Sequence, residues 1–175
     1  LTGSQSRQVA LYLVDWDGGN RSERLEVLDA STGQVLDTRT ASSFVNGQYL
    51  TWNLSGHVQI RVTNLAGPNS VLGGIFFGGT STSPSTSATF VGTDTTTRGN
   101  WQTVYGSDGY SLSQGAVSLP SYAQVALAGQ ADWVWAGSTS DPRALQKPGA
   151  SDRLAATWYA GSSFTVDLNL TGSQS

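Results

Sequence analysis

His57-Val58-Gln59-Ile60-Arg61-Val62-Thr63 is the cleanest alternation in the chain, with Val58, Ile60 and Val62 on one side and His57, Gln59 and Arg61 on the other. Side chains along an extended strand point alternately to opposite faces, so this stretch predicts a strand with one face on a core and one in water. Phe164, Val166, Leu168 and Leu170 alternate in the same way with Thr165, Asp167 and Asn169. Residues 9–15 are apolar on both faces, as expected of a central strand. Residues 21–28 and 34–40 flank the turn sequence Asp29-Ala30-Ser31-Thr32-Gly33 and predict a hairpin. Asn46-Gly47 marks another turn, leading into residues 48–54, where Leu50, Trp52 and Leu54 share a face.

Further short strands are expected at 71–77, with Gly73-Gly74 as a bulge or close approach, around Phe90, and at 122–127, 133–136, 154–159 and 163–170. One helical turn is expected at 143–147, between Pro142 and Pro148. About eleven short strands separated by turn signals, with no long helical period, predict an all-β sandwich of jelly-roll type.

Leu1-Thr2-Gly3-Ser4-Gln5-Ser6 returns unchanged as Leu170-Thr171-Gly172-Ser173-Gln174-Ser175, at an offset of 169 (170 − 1). Recurrence at a fixed offset is the mark of a period. Joined through this polar, Gly-containing hexapeptide, the strands at 164–170 and 9–14 read as two sides of one interrupted hairpin. Val9, Leu11, Leu13, Phe164, Val166, Leu168 and Leu170 are then the candidate strand-pairing residues, closing within one molecule or onto a neighbouring identical unit. Residues 78–87, Gly-Gly-Thr-Ser-Thr-Ser-Pro-Ser-Thr-Ser, read as a linker. That divides the chain into 1–77, the C-terminal half of a module, and 88–175, the N-terminal half of the same module or of the next repeat.

Charged residues are 12% of the 175, about half the usual share, and the net charge is −3 with nine scattered basic residues. A nucleic-acid footprint and a basic membrane-binding face are therefore not expected, and no apolar run reaches the length of a membrane-spanning helix. Cys is absent, which rules out disulfides and thiolate metal sites. With no signal-peptide pattern and no initiator Met, the chain is expected to be a piece of a larger protein.

Several stretches resemble a galactose-binding-like jelly-roll module of bacterial secreted multidomain proteins. They are Gly92-Thr93-Asp94-Thr95-Thr96-Thr97 with Gly99-Asn100-Trp101, Val104-Tyr105-Gly106-Ser107-Asp108-Gly109-Tyr110, and Asp141-Pro142-Arg143-Ala144-Leu145-Gln146-Lys147. Leu11-Tyr12-Leu13-Val14-Asp15-Trp16-Asp17, residues 21–40, and Asp152-Arg153-Leu154-Ala155-Ala156-Thr157-Trp158-Tyr159 complete the set. The resemblance covers nearly the whole chain except the linker. It implies a β-sandwich and an extracellular or cell-surface setting, with glycan binding by analogy. In the family frame the Thr-Asp-Thr-Thr-Thr stretch comes first and the Ile-Phe-Phe strand last, so this chain starts in mid-domain.

The catalytic inventory is small. A Ser-His-Asp arrangement would have to use His57, which sits on a polar strand face. Glu23 and Glu26, the only Glu pair, are three apart on a strand and point to opposite faces, which does not suit a glycosidase. The chain is expected not to be an enzyme. Asp15, Asp17 and Asn20 offer oxygen ligands at short spacing, and calcium is the candidate ion; the alternative is a turn whose carboxylates cap backbone N–H groups or pair with Arg21 and Arg24. Trp101, Tyr105 and Tyr110 lie in loop-like sequence and form the candidate glycan platform, with Asp94, Arg98, Asn100 and Asp108 as polar partners; the alternative is that these rings serve core or loop packing. Trp52, Trp133, Trp135 and Trp158 sit at strand alternation and are expected in the core.

Three functional readings follow. The first is a non-catalytic repeat of a bacterial surface or secreted protein, structural, adhesive or fibre-forming, whose partners are neighbouring identical units. The second is a carbohydrate-binding module of a secreted glycan-active enzyme, with polysaccharide as its partner. The third is an engineered circular permutant of such a module, since a polar hairpin loop tolerates permutation well.

Overall fold

The computed structural model describes residues 5–82 and 85–171. In chain order the first strands are β1 (Gln5–Leu13), β2 (Ser22–Asp29), β3 (Val35–Ser42), β4 (Gln48–Ser55) and β5 (His57–Ala66). Next come β6 (Ser70–Leu72), β7 (Gly74–Thr82), β8 (Ser87–Asp94), β9 (Gly109–Leu112) and β10 (Val117–Ser118). The last five are β11 (Gln124–Ala128), β12 (Ala131–Thr139), β13 (Leu145–Gln146), β14 (Arg153–Ala160) and β15 (Ser163–Asn169). A 3-10 turn at Trp101–Thr103 is the only helical element among the described residues. The fold is all-β, as its alternation and turn spacing predict. Strands outnumber the expectation because β6, β10 and β13 are two or three residues long, too short for any period to show. Residues 143–147 are not a helical turn: a turn at Pro142-Arg143 leads directly into β13.

Two antiparallel sheets make the sandwich. One has the order β10-β9-β7-β1-β4-β8, the other β11-β15-β5-β2-β3. A smaller sheet, β12-β14-β13, joins them, with β6 paired to β14. The main core lies between the two large sheets: Leu11, Trp52 and Phe77 on one side meet Ile60, Val62 and Val166 on the other, all fully buried. The first sheet buries its second face too, where Tyr12, Tyr49, Phe76, Trp101 and Leu145 form a separate cluster. That double burial explains why residues 9–14 are apolar without alternation.

The interrupted hairpin is corrected by this arrangement. β1 pairs with β4 and β7, and β15 pairs with β11 and β5, so the two strands belong to opposite sheets and each has a neighbour on both sides. Val9, Leu11, Leu13, Phe164, Val166, Leu168 and Leu170 all enter the main core and face one another across it. The alternation is that of a half-buried strand in either case, and a short polar connection serves a hairpin or a sheet-to-sheet corner equally well. The ends do converge. Arg7 lies opposite Leu54, a register that carries Gln5 toward Gly56, and Leu170 donates its N–H to the Gly56 carbonyl at 2.9 Å. Most of the repeated hexapeptide, residues 1–4 and 172–175, lies outside the described residues.

The linker expectation also changes. β7 continues through Thr82, pairing Gly78 with Gln8 and Thr82 with Gln5, and β8 begins at Ser87 opposite Ser55. Gly78 is buried, and a Cβ there would come within 2.5 Å of Ser107 Oγ. Residues 83 and 84 lie outside the described residues. Both large sheets take strands from either side of this stretch: β8 pairs β4, β9 pairs β7 and β15 pairs β5.

Candidate functional site

Of the two readings of the loop aromatics, the structure takes packing: Trp101 belongs to the second core cluster, and Tyr105 and Tyr110 pack against it. Trp101 is 3% exposed, its indole N–H donates to the Gln146 carbonyl at 2.9 Å, and its ring sits 5.0 Å from Phe76 and 4.6 Å from Tyr110. Tyr105 stacks on Tyr49 at 4.4 Å and donates its hydroxyl to Asp94 at 3.0 Å. Asp94 also accepts from the backbone and hydroxyl of Thr96 and the backbone of Thr97. Against the effect of partial burial, these bonds hold its carboxyl well below the usual range. Asp108 accepts the Tyr122 hydroxyl, Asn100 accepts from Arg153, and the Arg98 carbonyl accepts the Tyr49 hydroxyl. Of the seven residues, the structure brings together Asp94 with Tyr105 and Trp101 with Tyr110. Asp94 and Tyr105 line a small recess of about 170 Å³ with Gln8 and Thr51. The set makes no continuous platform, because the second face of the first sheet needs these rings as its cover.

The acidic loop is likewise committed. Asp15 accepts the backbone N–H groups of Gly19 and Arg21, and the Arg21 guanidinium bridges the Asp15 and Asp17 carboxylates. Arg21 therefore supplies the positive charge that calcium would have supplied. Asn20 enters the loop at φ 53° as a turn residue. Among the described residues no group of three or more His, Asp or Glu side chains is placed to hold a metal ion. His57 pairs with Asp167 at 2.7 Å on the outer face of the second sheet, where Gln59 donates to the same carboxylate. Glu23 is buried and Glu26 pairs with Arg61 on the outer face, the opposite placement that their spacing requires.

A different set of side chains forms an open cleft. Among the described residues β12 is an edge strand whose only partner is β14, and Trp133 stands 55% exposed on it, directly opposite Thr157. Tyr159 lies two residues along β14, on the same face as Thr157. The register slips between Val134 and Ala136, so Trp135 occupies a bulge and turns toward the same cleft. Pro68 and Asn69, before β6, and Asp17 and Arg21, before β2, complete a cavity of about 330 Å³. Two glycines let these loops meet. A Cβ on Gly19 would come within 2.9 Å of Pro68, and one on Gly67, at φ +87°, within 2.9 Å of the Gly19 carbonyl.

The polar wall is ordered before any ligand arrives. Arg21 donates from Nε to Asn69 Oδ1 at 3.0 Å and bridges the two aspartates, leaving its side chain 2% exposed. Its guanidinium carbon lies 5.8 Å from the Trp135 ring centroid. Asp17, by contrast, keeps half of its side chain in solvent. The hydrogen bond from Arg21 holds Asp17 below the usual carboxylate range, so it is charged at neutral pH. The cleft thus combines three aromatic side chains, a proline and one accessible carboxylate.

Trp133 is the residue that strand alternation misplaces, whereas Trp135 is partly buried and packs against both core clusters while lining the cleft. The apolar Val134 between them removes the in–out contrast, and neither the edge position of β12 nor its bulge has a sequence signature. Compared with known proteins, the chain matches no family model, no curated protein and no solved structure.

Proposed function

We propose that this chain is a non-catalytic carbohydrate-binding module of an extracellular protein, with its site at the Trp133–Trp135–Tyr159 cleft. The observation that supports the reading is Trp133 itself, a large indole held half in water at the mouth of a concave site that Trp135 and Tyr159 line beside a polar wall. Exposed apolar surface of this kind carries a hydration cost that a pyranose face relieves, while Asp17 and Asn69 offer hydrogen-bond partners to hydroxyls. The resemblance to galactose-binding-like modules points the same way. Titrating the chain with soluble polysaccharides should produce saturable quenching of Trp fluorescence. Trp133→Ala should abolish it while costing under about 1 kcal/mol of stability, as expected for an exposed side chain. Unaltered quenching in that variant would reject the cleft as the site.

The reading as one repeat of a surface or secreted array draws on the recurring hexapeptide and on the convergence of residues 5 and 170 at Gly56. Exchange of β1 or β15 between units would require breaking two ladders in each chain, so covalent tandem linkage is the form this reading takes. Denatured native material with a mass in multiples of one unit would establish it.

A further inference from the structure

We infer that the cleft selects glycans bearing free amino groups over neutral or uronic ones; the inference rests on the carbohydrate-binding reading above. It follows from which charges in the cleft are accessible. Among the described residues Arg21 is the only cationic side chain lining the cavity, and four of its five N–H groups are already committed. Nε is bonded to Asn69, one terminal nitrogen is shared by Asp15 and Asp17, and the other reaches Asp17 Oδ2 at 3.4 Å. A guanidinium has five N–H groups and no acceptor, so a buried one engaged in this way presents little to an incoming carboxylate. Two carboxylates against one guanidinium leave the cluster with one net negative charge, and the half-exposed Asp17 is where that charge meets solvent.

The aromatic walls act in the same sense. Indole and phenol faces carry negative quadrupole potential and attract ammonium groups held over them. Trp133 and Tyr159 line the cavity and Arg21 lies near only Trp135, so ring surface remains for a ligand cation. A uronate would bring its charge toward Asp17, against a guanidinium that is buried and mostly engaged. An acetylated or unsubstituted sugar keeps the stacking but loses the ionic contact.

The test compares three probes by calorimetry at low ionic strength: a hexamer of β-1,4-linked glucosamine, its fully N-acetylated counterpart, and an oligogalacturonate of similar length. The amine-bearing hexamer should bind about tenfold more tightly than the acetylated one, the gain of one ion pair in a partly exposed site, with the uronate weakest. Asp17→Asn should remove the preference. Because that variant loosens the Arg21 cluster, a second arm uses the unaltered chain, in which raising salt to about 0.5 M should shrink the same ratio. Equal affinity for the amine and acetylated hexamers, or tightest binding of the uronate, would overturn the inference and leave the carbohydrate-binding reading standing. No heat and no Trp quenching with any of the three, nor with neutral polysaccharides, would overturn both.

Discussion

Glu23 carries the sharpest consequence at the level of single residues. Its carboxyl is fully buried, accepts the Val71 N–H at 2.8 Å through one oxygen, and among the described residues has no hydrogen-bond partner on the other. Burial pushes its pKa from 4.5 up to about 8, with the Val71 bond and Arg21 opposing and Asp15 adding to the rise. Below pH 4.5 the carboxyl is protonated folded or unfolded. Between 4.5 and 8 only the folded state holds the proton, so stability falls as pH rises, by up to about 1.4 kcal/mol per pH unit. Asp17 and Asp94 have depressed values and act in the other direction, losing their contribution only as pH falls below the ordinary carboxylate range. Urea midpoints should therefore decline from pH 5 to pH 8, and Glu23→Gln should flatten that decline. Parallel curves for the two proteins would show that Glu23 is ionised in the fold. A spacing of three on a strand shows that Glu23 and Glu26 face opposite ways. Which of them faces the interior, where Glu23 meets the Val71 N–H of β6, no local pattern announces.

Among the elements, the segment from Asp94 to Gly109 takes the packing role of its two readings, and the edge strand β12 presents Trp133 to solvent where strand alternation predicts a core position. Gly-punctuated aromatics such as Trp101 and Tyr105 resemble an exposed binding loop, because nothing local reveals that the first sheet is covered on both faces. β12 resembles a core strand, because its apolar residues do not alternate with polar ones. Trp101→Ala should cost about 3–5 kcal/mol, since it removes a buried indole, its bond to Gln146 and its contacts with Phe76 and Tyr110. Trp133→Ala should cost several-fold less. Denaturant unfolding of the two variants checks the assignment directly: comparable losses would mean that Trp133 is packed, and a small loss at Trp101 would return the loop aromatics to candidacy as a platform. The strands that alternate with one polar face, β5 and β15, are where sequence and structure agree most closely. Their period of two and their single buried face are properties of the strand itself.

For the whole molecule, the informative feature is the corner at Gly56. There the chain leaves β4 in one large sheet and enters β5 in the other within one residue, Gly56 at φ +77°. β1 runs beside β4 and β15 beside β5, so a connection from β15 to β1 would run next to this corner in the reverse sense. Packed sheets lie about 10 Å apart, and the four peptide units from Leu170 to Gln5 through Thr-Gly-Ser reach about 13 Å when extended. One copy of the hexapeptide is therefore long enough to close the chain into a ring without moving either strand. Head-to-tail closure of residues 2–170, joining Leu170 to Thr2, should raise the melting temperature. The unfolded ensemble loses chain entropy worth about 5 kcal/mol by the loop-closure relation for a ring of this length. Differential scanning calorimetry of the linear and cyclised chains makes the comparison. A higher midpoint with unchanged Trp emission would establish that β15 and β1 are spatially continuous, as tandem repetition or permutation of the unit requires. A lower midpoint would mean that the ends must separate for the sandwich to close.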